Sequence, residues 1–133
     1  MKTRAQRIGA RGERLAARYL RRTGYRILAK NKHCGRNELD LVVKNKQFIV
    51  FVEVKTRTVK SDTVNPDRPA LAVDRDKRKR TVAAALSYLK EKKSPLCPRF
   101  DVIEVYLDGD APKKLLRLNH ISDAFGVNGN VRR

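Results

Sequence analysis

Three residues in the most strand-like part of the sequence suit metal-dependent chemistry: Asp40, Glu53 and Lys55. An acid inside an apolar strand is disfavoured, because desolvating a carboxylate is costly unless its charge is compensated. Two converging carboxylates can hold a divalent cation, which can polarise a scissile phosphate and lower the pKa of a bound water. A neighbouring ammonium steadies developing negative charge and can orient the attacking water. This set predicts phosphodiester hydrolysis.

The two acids must be brought together by the strands that carry them. Leu39 to Val43 and Phe48 to Val54 are β-branched or aromatic runs, which predicts a hairpin of central strands covered on both faces. The connection between them runs from Lys44 to Gln47. Its length matters, because one added residue moves every side chain of a strand to the other face.

A two-residue turn at Asn45-Lys46 would set Asp40 opposite Phe51 and diagonal to Glu53. The two acids and Lys55 would then share a face, whereas a loop of odd length would put Asp40 on the other face. A purely structural alternative is also open: Glu53 and Lys55, two apart on one strand, neutralise each other while Asp40 caps a turn.

Glu13 is a fourth candidate, because it is the only acid among the first 37 residues, which contain twelve lysines and arginines. Its neighbours at helical spacing are glycines and alanines, so the ordinary interpretation, an ion pair within the helix, lacks a partner. Small neighbours would also leave space beside its carboxylate. We therefore expect Glu13 to complete or tune the site.

The remaining elements follow from periodicity and turn residues. A helix from about Ala5 should end near Thr23-Gly24, and Val82, Ala85, Leu86 and Leu89 should form the buried stripe of a second helix. The other predictions are a short strand at Tyr25–Ala29, a mobile surface loop at 56–69, the second helix itself at Asp74–Lys92, strands at Phe100–Leu107 and Lys114–Leu118, a short helix at Ile121–Phe125 and a frayed basic tail.

The charge balance predicts a polyanionic partner, because 32 lysines and arginines face 14 acids, for a net charge of +18. The chain has no tryptophan and few aromatic residues, so backbone phosphate contacts are favoured over base stacking. The candidate phosphate-binding residues are Arg11, Arg14, Arg18, Arg57, Arg75, Lys77, Arg78 and Lys79.

Length and composition predict one cytoplasmic domain over residues 1–133. No apolar run approaches the roughly 20 residues that cross a bilayer, and no membrane partner is expected. Cys34 and Cys97 lie far apart without metal-binding spacing, so both are expected to be ordinary thiols.

Several segments, in this order and spacing, resemble the YraN family of predicted endonuclease-like proteins. They are Gly12-Glu13, Asn37-Glu38-Leu39-Asp40, Val52-Glu53-Val54-Lys55-Thr56-Arg57 and Arg99-Phe100-Asp101-Val102. That family is similar to Holliday-junction resolvases and other PD-(D/E)xK nucleases. The resemblance implies an α/β fold of the restriction-endonuclease-like type, a mixed β-sheet flanked by α-helices. It also implies Asp40, Glu53 and Lys55 as the nuclease core and Glu13 as an added acid.

One departure from the family pattern concerns the turn before Asp40. Asn37 stands where members usually have glycine, and asparagine can still adopt a left-handed backbone. Glu38 is a possible further metal group or an exposed strand end.

The leading hypothesis is a structure-selective DNA endonuclease that uses Mg²⁺ or Mn²⁺, with branched DNA as substrate. A homodimer is expected only by analogy with resolvases. Two rivals stay open: a nucleic-acid-binding protein that keeps the nuclease fold without turnover, and a basic RNA-associated structural protein.

Overall fold

A five-stranded mixed sheet lies between two helices in the computed structural model, which describes residues 1–60 and 74–132. The strand order follows the chain, and the third and fourth strands are parallel while the other neighbours are antiparallel. This α/β architecture is consistent with the restriction-endonuclease-like fold. The elements are α1 (Arg4–Arg22), β1 (Arg26–Cys34), β2 (Asn37–Lys44), β3 (Phe48–Val59), α2 (Arg75–Glu91), β4 (Cys97–Asp108) and β5 (Leu115–Phe125).

Both helices begin at side chains that accept a hydrogen bond from the first turn. Thr3 and Gln6 form a reciprocal capping box at the start of α1. Asp74 accepts a hydrogen bond of 2.7 Å from the backbone N–H of Lys77 at the start of α2. The chain leaves α1 through Thr23 and then Gly24, whose φ of +98° favours glycine. The predicted helix boundaries are confirmed to within a few residues.

The core is divided by the sheet into two layers, one under each helix. On the α2 side, Phe51 of β3 packs with Tyr88, Phe100 and their apolar neighbours. On the α1 side, Leu15 and Leu20 pack on the alternate residues of β2, β3 and β4. Residues 49–53 of β3 are all buried, which confirms the prediction of a central strand covered on both faces.

Three sequence predictions are wrong, and in the first two strand pairing overrode the local pattern. The loop predicted over 56–69 is strand as far as Val59, because Thr56 to Val59 pair with β4; residues 61–69 lie outside the described residues. Ile121 to Phe125 belongs to β5 and not to a helix, since both of these residues pair with β4. Leu86 is 54% exposed rather than buried.

The tail after β5 turns back on the sheet instead of fraying. Val131 forms a bridge with Phe125, and Arg132 makes an ion pair of 2.9 Å with Asp123. Cys34 and Cys97 are both free thiols, as predicted. Neither helix in the described part of the chain has the length and apolar character needed to cross a bilayer.

Candidate active site

The candidate site lies where the central hairpin opens. Pairing between β2 and β3 ends at Leu41 and Val52, after which β2 continues beside β1 and β3 continues beside β4. The opening leaves a cleft of about 470 Å³ between the first half of α1 and the first turn of α2. We call it the carboxylate cleft; it is lined by Ala5, Ile8, Gly9, Glu13, Asp40, Glu53, Val54, Lys55, Thr56, Thr58 and Lys77.

The hairpin register differs by two residues from the predicted one. Phe51 lies opposite Val42, not opposite Asp40, because the connecting turn spans Asn45 to Phe48 and is closed by the side chain of Asn45. A shift of two preserves the face of every side chain. Continuing this register sets Asp40 directly opposite Glu53, and the four sequence-predicted residues, Glu13, Asp40, Glu53 and Lys55, line one cleft.

Asp40 occupies the point of separation. Its Oδ2 accepts a hydrogen bond of 2.9 Å from the backbone N–H of Val54, so the side chain tethers β3 where the strands diverge. Burial is the main cause that raises the pKa of Asp40, while the Val54 hydrogen bond and the charge of Lys77 act against it. The carboxyl is thus held in place with one oxygen committed to the backbone.

Glu53 is buried, with 6% of its surface exposed, and it faces α2. Its Oε1 lies 3.5 Å from Nζ of Lys77, and its Oε2 accepts a longer hydrogen bond of 3.4 Å from the Thr81 hydroxyl. Burial, followed by the negative charge of Asp40, raises the pKa of Glu53 to about 8. A cluster of carboxyls with raised pKa values in a cleft is typical of functional sites.

Glu13 reaches the cleft from α1. Half-burial raises its pKa, and the charge of Asp40 adds to that effect, whereas a hydrogen bond from the side chain of Asn31 opposes it. Asn31 stands opposite Asp40 in the β1–β2 register and has a φ of +46°. Asparagine tolerates this left-handed backbone. Sequence reasoning missed Asn31, although an asparagine next to a predicted strand was a signal.

Small residues of α1 make room for the site. A Cβ at position 12 would overlap the Thr56 side chain, so Gly12 lets α1 lie against β3 beside Lys55. A Cβ at position 9 would meet nothing within 4 Å, and Gly9 therefore leaves open space in the cleft. The space expected around Glu13 is present. Lys55 makes no ion pair with an acid in the described part of the chain.

The residues predicted to bind nucleic acid fall into separate groups. Lys77 lies in the carboxylate cleft on Glu53, a position that its basic run did not indicate. Arg78 instead donates to the carbonyl of Gly129 at 2.7 Å and ties the tail to α2. Arg11 and Arg14 line a different cleft, described below. The others are Arg18, Arg75 and Lys79, which are exposed, and Arg57, which is partly buried.

Two other clusters of polar residues stand apart from the cleft lining. Exposed His33 and Glu38 lie 3.7 Å apart across the β1–β2 pair. Asp101 is fully buried and bonds to Arg99 and to His120 at 2.8 and 2.7 Å. These contacts explain Asp101 as a structural residue.

The carboxylates of the cleft suit some divalent cations better than others. Within residues 1–60 and 74–132, no three Asp, Glu, His or Cys side chains come close enough together to hold a metal ion unaided, so Glu13 stands apart from the Asp40–Glu53 pair. The pair fits Mg²⁺, which proteins bind through one or two carboxylates while water and phosphate oxygens fill the other positions. It does not fit zinc, which requires three or four protein ligands.

Comparisons with known proteins agree on one family. The profile of the uncharacterised protein family UPF0102 matches residues 12–105, which include Glu13, Asp40, Glu53 and Lys55. A UPF0102 protein of Caldanaerobacter subterraneus is 46% identical over 121 residues, covering 89% of this chain and 93% of that protein. A relative from Geobacter metallireducens is 42% identical over 89% of this chain and 91% of its own length.

Proposed function

The chain belongs to the uncharacterised protein family UPF0102, and from its cleft we propose that it is a divalent-metal-dependent DNA endonuclease. One observation carries the proposal: Asp40, Glu53 and Lys55 line one cleft at the point where the central strands separate. The pKa values of buried Glu53 and half-buried Asp40 are both raised, so the two carboxyls lack enough positive charge around them, and a cation would supply it.

Asp40 and Glu53 would hold Mg²⁺ between them, with Glu13 in reach to adjust the charge of the site. When bound, the ion polarises the scissile phosphate and lowers the pKa of a water. The ammonium of Lys55 would stabilise the negative charge that develops on the phosphate and orient the attacking water. Lys77 would approach the phosphate from the α2 wall, once the ion replaces it on Glu53.

The substrate follows from charge and composition. A net charge of +18 favours a polyanion, and the absence of tryptophan with only 6% aromatic residues favours contacts to phosphate rather than to bases. The proposed enzyme therefore selects DNA by its structure, with branched DNA as the leading substrate. A two-fold dimer, which would present two clefts to two strands, is a prediction from analogy with resolvases.

The test compares cutting of a four-way junction and a linear duplex in Mg²⁺. Wild type should cut the junction; Asp40→Asn should lose at least about 10³-fold in rate because metal binding supplies several kcal/mol of barrier lowering. Lys55→Ala should lose roughly 10²-fold. Lys46→Ala removes the same charge from the exposed hairpin turn and should cut like wild type.

Three results would overturn the proposal. Equal cutting by wild type, Asp40→Asn and Lys55→Ala would place any activity elsewhere. Tight binding without cutting by wild type would support the rival, a nucleic-acid-binding protein on a nuclease fold. A preference for folded RNA over DNA would support the third hypothesis, an RNA-associated structural protein.

A further inference from the structure

A second cleft, of about 500 Å³, lies between the first half of α1 and the connection from β4 to β5. Ile8 and Pro112 supply apolar lining, and six basic residues surround it: Lys2, Arg4, Arg7, Arg11, Arg14 and Lys113. We infer that this basic cleft binds the phosphodiester backbone of the DNA strand whose neighbouring phosphates enter the carboxylate cleft. The site deepens the proposed function and rests on it for the path of the strand.

The cations of the basic cleft are held in place without acids. Arg4 donates to the carbonyl of Gly109 at 3.2 Å, and Arg11 donates to that of Lys113 at 2.8 Å. None of the six basic residues makes an ion pair with a carboxylate of residues 1–60 or 74–132. Nε of Arg11 is buried and has no hydrogen-bond partner among those residues. So dense a group of uncompensated positive charges favours a ligand with several negative charges.

The two clefts use opposite sides of one helix. At about 100° per residue, Arg7, Arg11 and Arg14 lie on one side of α1 and Gly9 and Glu13 lie on the other. Ile8 lines both clefts. An α-helix is about 10 Å wide, and each strand of a duplex carries one phosphate per about 3.4 Å of axis. A strand that crosses α1 therefore passes from one cleft to the other within about three nucleotides.

The lining favours a nucleic-acid backbone over other sources of phosphate. It contains no aromatic side chain to stack on a base, so the contacts are independent of sequence. Its apolar residues are Ile8, Ala10 and Pro112, without the bulky exposed group that anchors a protein in a bilayer. Arg18 and Arg21 continue the basic stripe along α1, but they do not line the cleft.

The test measures binding of a fluorescently labelled DNA duplex of about 30 base pairs by fluorescence anisotropy, in EDTA and at several KCl concentrations. Arg7 and Arg14 are exposed, so the double variant Arg7→Gln/Arg14→Gln should fold. It should bind roughly tenfold more weakly, and its log-log salt slope should be smaller by about 1.8, the value for two lost phosphate contacts. Arg21→Gln/Arg22→Gln removes the same charge from the other end of α1 and should keep the wild-type slope.

Equal losses in the two double variants would show a general charge effect and overturn the site, as would an unchanged slope in Arg7→Gln/Arg14→Gln. Phosphatidylserine vesicles and inorganic phosphate form two further arms. A cleft that binds either as tightly as DNA, with the same dependence on Arg7 and Arg14, would refute the DNA assignment.

Binding in EDTA does not depend on catalysis, so the two proposals fail separately. If wild type never cuts DNA but the two double variants differ in binding as predicted, the basic cleft stands as a DNA-binding site and the nuclease proposal fails. If wild type cuts DNA and the two double variants bind alike, the nuclease proposal stands and the basic-cleft proposal fails.

Discussion

Glu53 and Asp101 are both buried acids on the central strands, and their surroundings differ in one respect. Asp101 accepts hydrogen bonds from both nitrogens of the Arg99 fork, from His120 and from the backbone of Asp123. Glu53 has a half-exposed Lys77 at 3.5 Å, a long bond from Thr81 and a second acid, Asp40, beside it.

The pKa values of these two carboxyls move in opposite directions. Burial would raise the pKa of Asp101, but the hydrogen bonds from His120 and Arg99 outweigh burial and lower it. Burial and the charge of Asp40 raise the pKa of Glu53 to about 8. Burial of an acid is therefore not enough to mark a site; the useful mark is a buried acid whose charge the protein leaves uncompensated.

The largest expected difference is in stability. Asp101→Asn should lower the free energy of unfolding by about 3–5 kcal/mol, because it leaves Arg99, whose side chain is 12% exposed, without its charged partner. Urea unfolding followed by circular dichroism at pH 7 in EDTA measures the loss. A loss below about 1 kcal/mol would mean that the Asp101 cluster is dispensable, and it would contradict the difference drawn between Asp101 and Glu53.

Glu53→Gln, in contrast, should stabilise the folded protein. In EDTA at pH 8 it should raise the free energy of unfolding by roughly 1–3 kcal/mol, because an amide of the same shape removes the cost of a buried charge next to Asp40. The same unfolding assay measures the gain, and Asp101→Asn at pH 8 is the matched control. A large loss of stability in Glu53→Gln would show that Glu53, too, is compensated.

Glu53 and Asp101 should also affect the pH dependence of stability in opposite directions, Glu53 at high pH and Asp101 at low pH. The raised pKa of Glu53 means that, between about 4.5 and about 8, the folded protein keeps a proton that the unfolded chain releases. Stability in EDTA should therefore fall as pH rises through this window, and Glu53→Gln should flatten that fall. The lowered pKa of Asp101 acts below its ordinary value of 3.8, where stability falls as pH falls. Urea midpoints from pH 3 to 8 measure both effects, and a fall above about pH 4.5 that is as steep in Glu53→Gln as in wild type would contradict the assignment.

Mg²⁺ should stabilise the protein through Asp40 and Glu53 of the carboxylate cleft and not through the Asp101 cluster. At pH 8 and a concentration ten times its Kd, the ion should raise the free energy of unfolding of wild type by about 1.4 kcal/mol. Asp40→Asn and Glu53→Gln should lose this gain, which thermal melts can follow. The same gain in Glu53→Gln as in wild type would show that the ion binds outside the carboxylate cleft.

The smallest effect is expected for Lys77. Its ion pair with Glu53 is long and its side chain is 39% exposed, so Lys77→Gln should cost under about 1 kcal/mol of unfolding free energy in EDTA. Because Lys77 competes for Oε1 of Glu53, the variant should gain more stability from Mg²⁺ than wild type does. Lys79→Gln, on the exposed side of the same turn, is the control, and an equal response in both variants would refute the competition.

Much of the fold could be predicted from the sequence because its signals are local. The helical spacing of apolar residues and the continuous apolar runs of β2 and β3 gave boundaries close to those observed. The segment from Ile121 to Phe125 could not be predicted, because its pairing with β4 joins residues that lie far apart along the chain. Lys77 could not be singled out among the five basic residues of segment 75–80, since only its contact with Glu53 distinguishes it.

By itself the sequence singled out Asp40, Glu53 and Glu13 as candidate site residues, because an acid in an apolar strand and a glutamate among small residues are unusual wherever they occur. It left open whether Asp40 and Glu53 share a face, because that depends on the parity of the turn between their strands. Only the tertiary structure decided where the strands part, that Asp101 is neutralised while Glu53 is not, and that α1 separates an acidic from a basic cleft. Each of these depends on groups brought together from distant parts of the chain by packing.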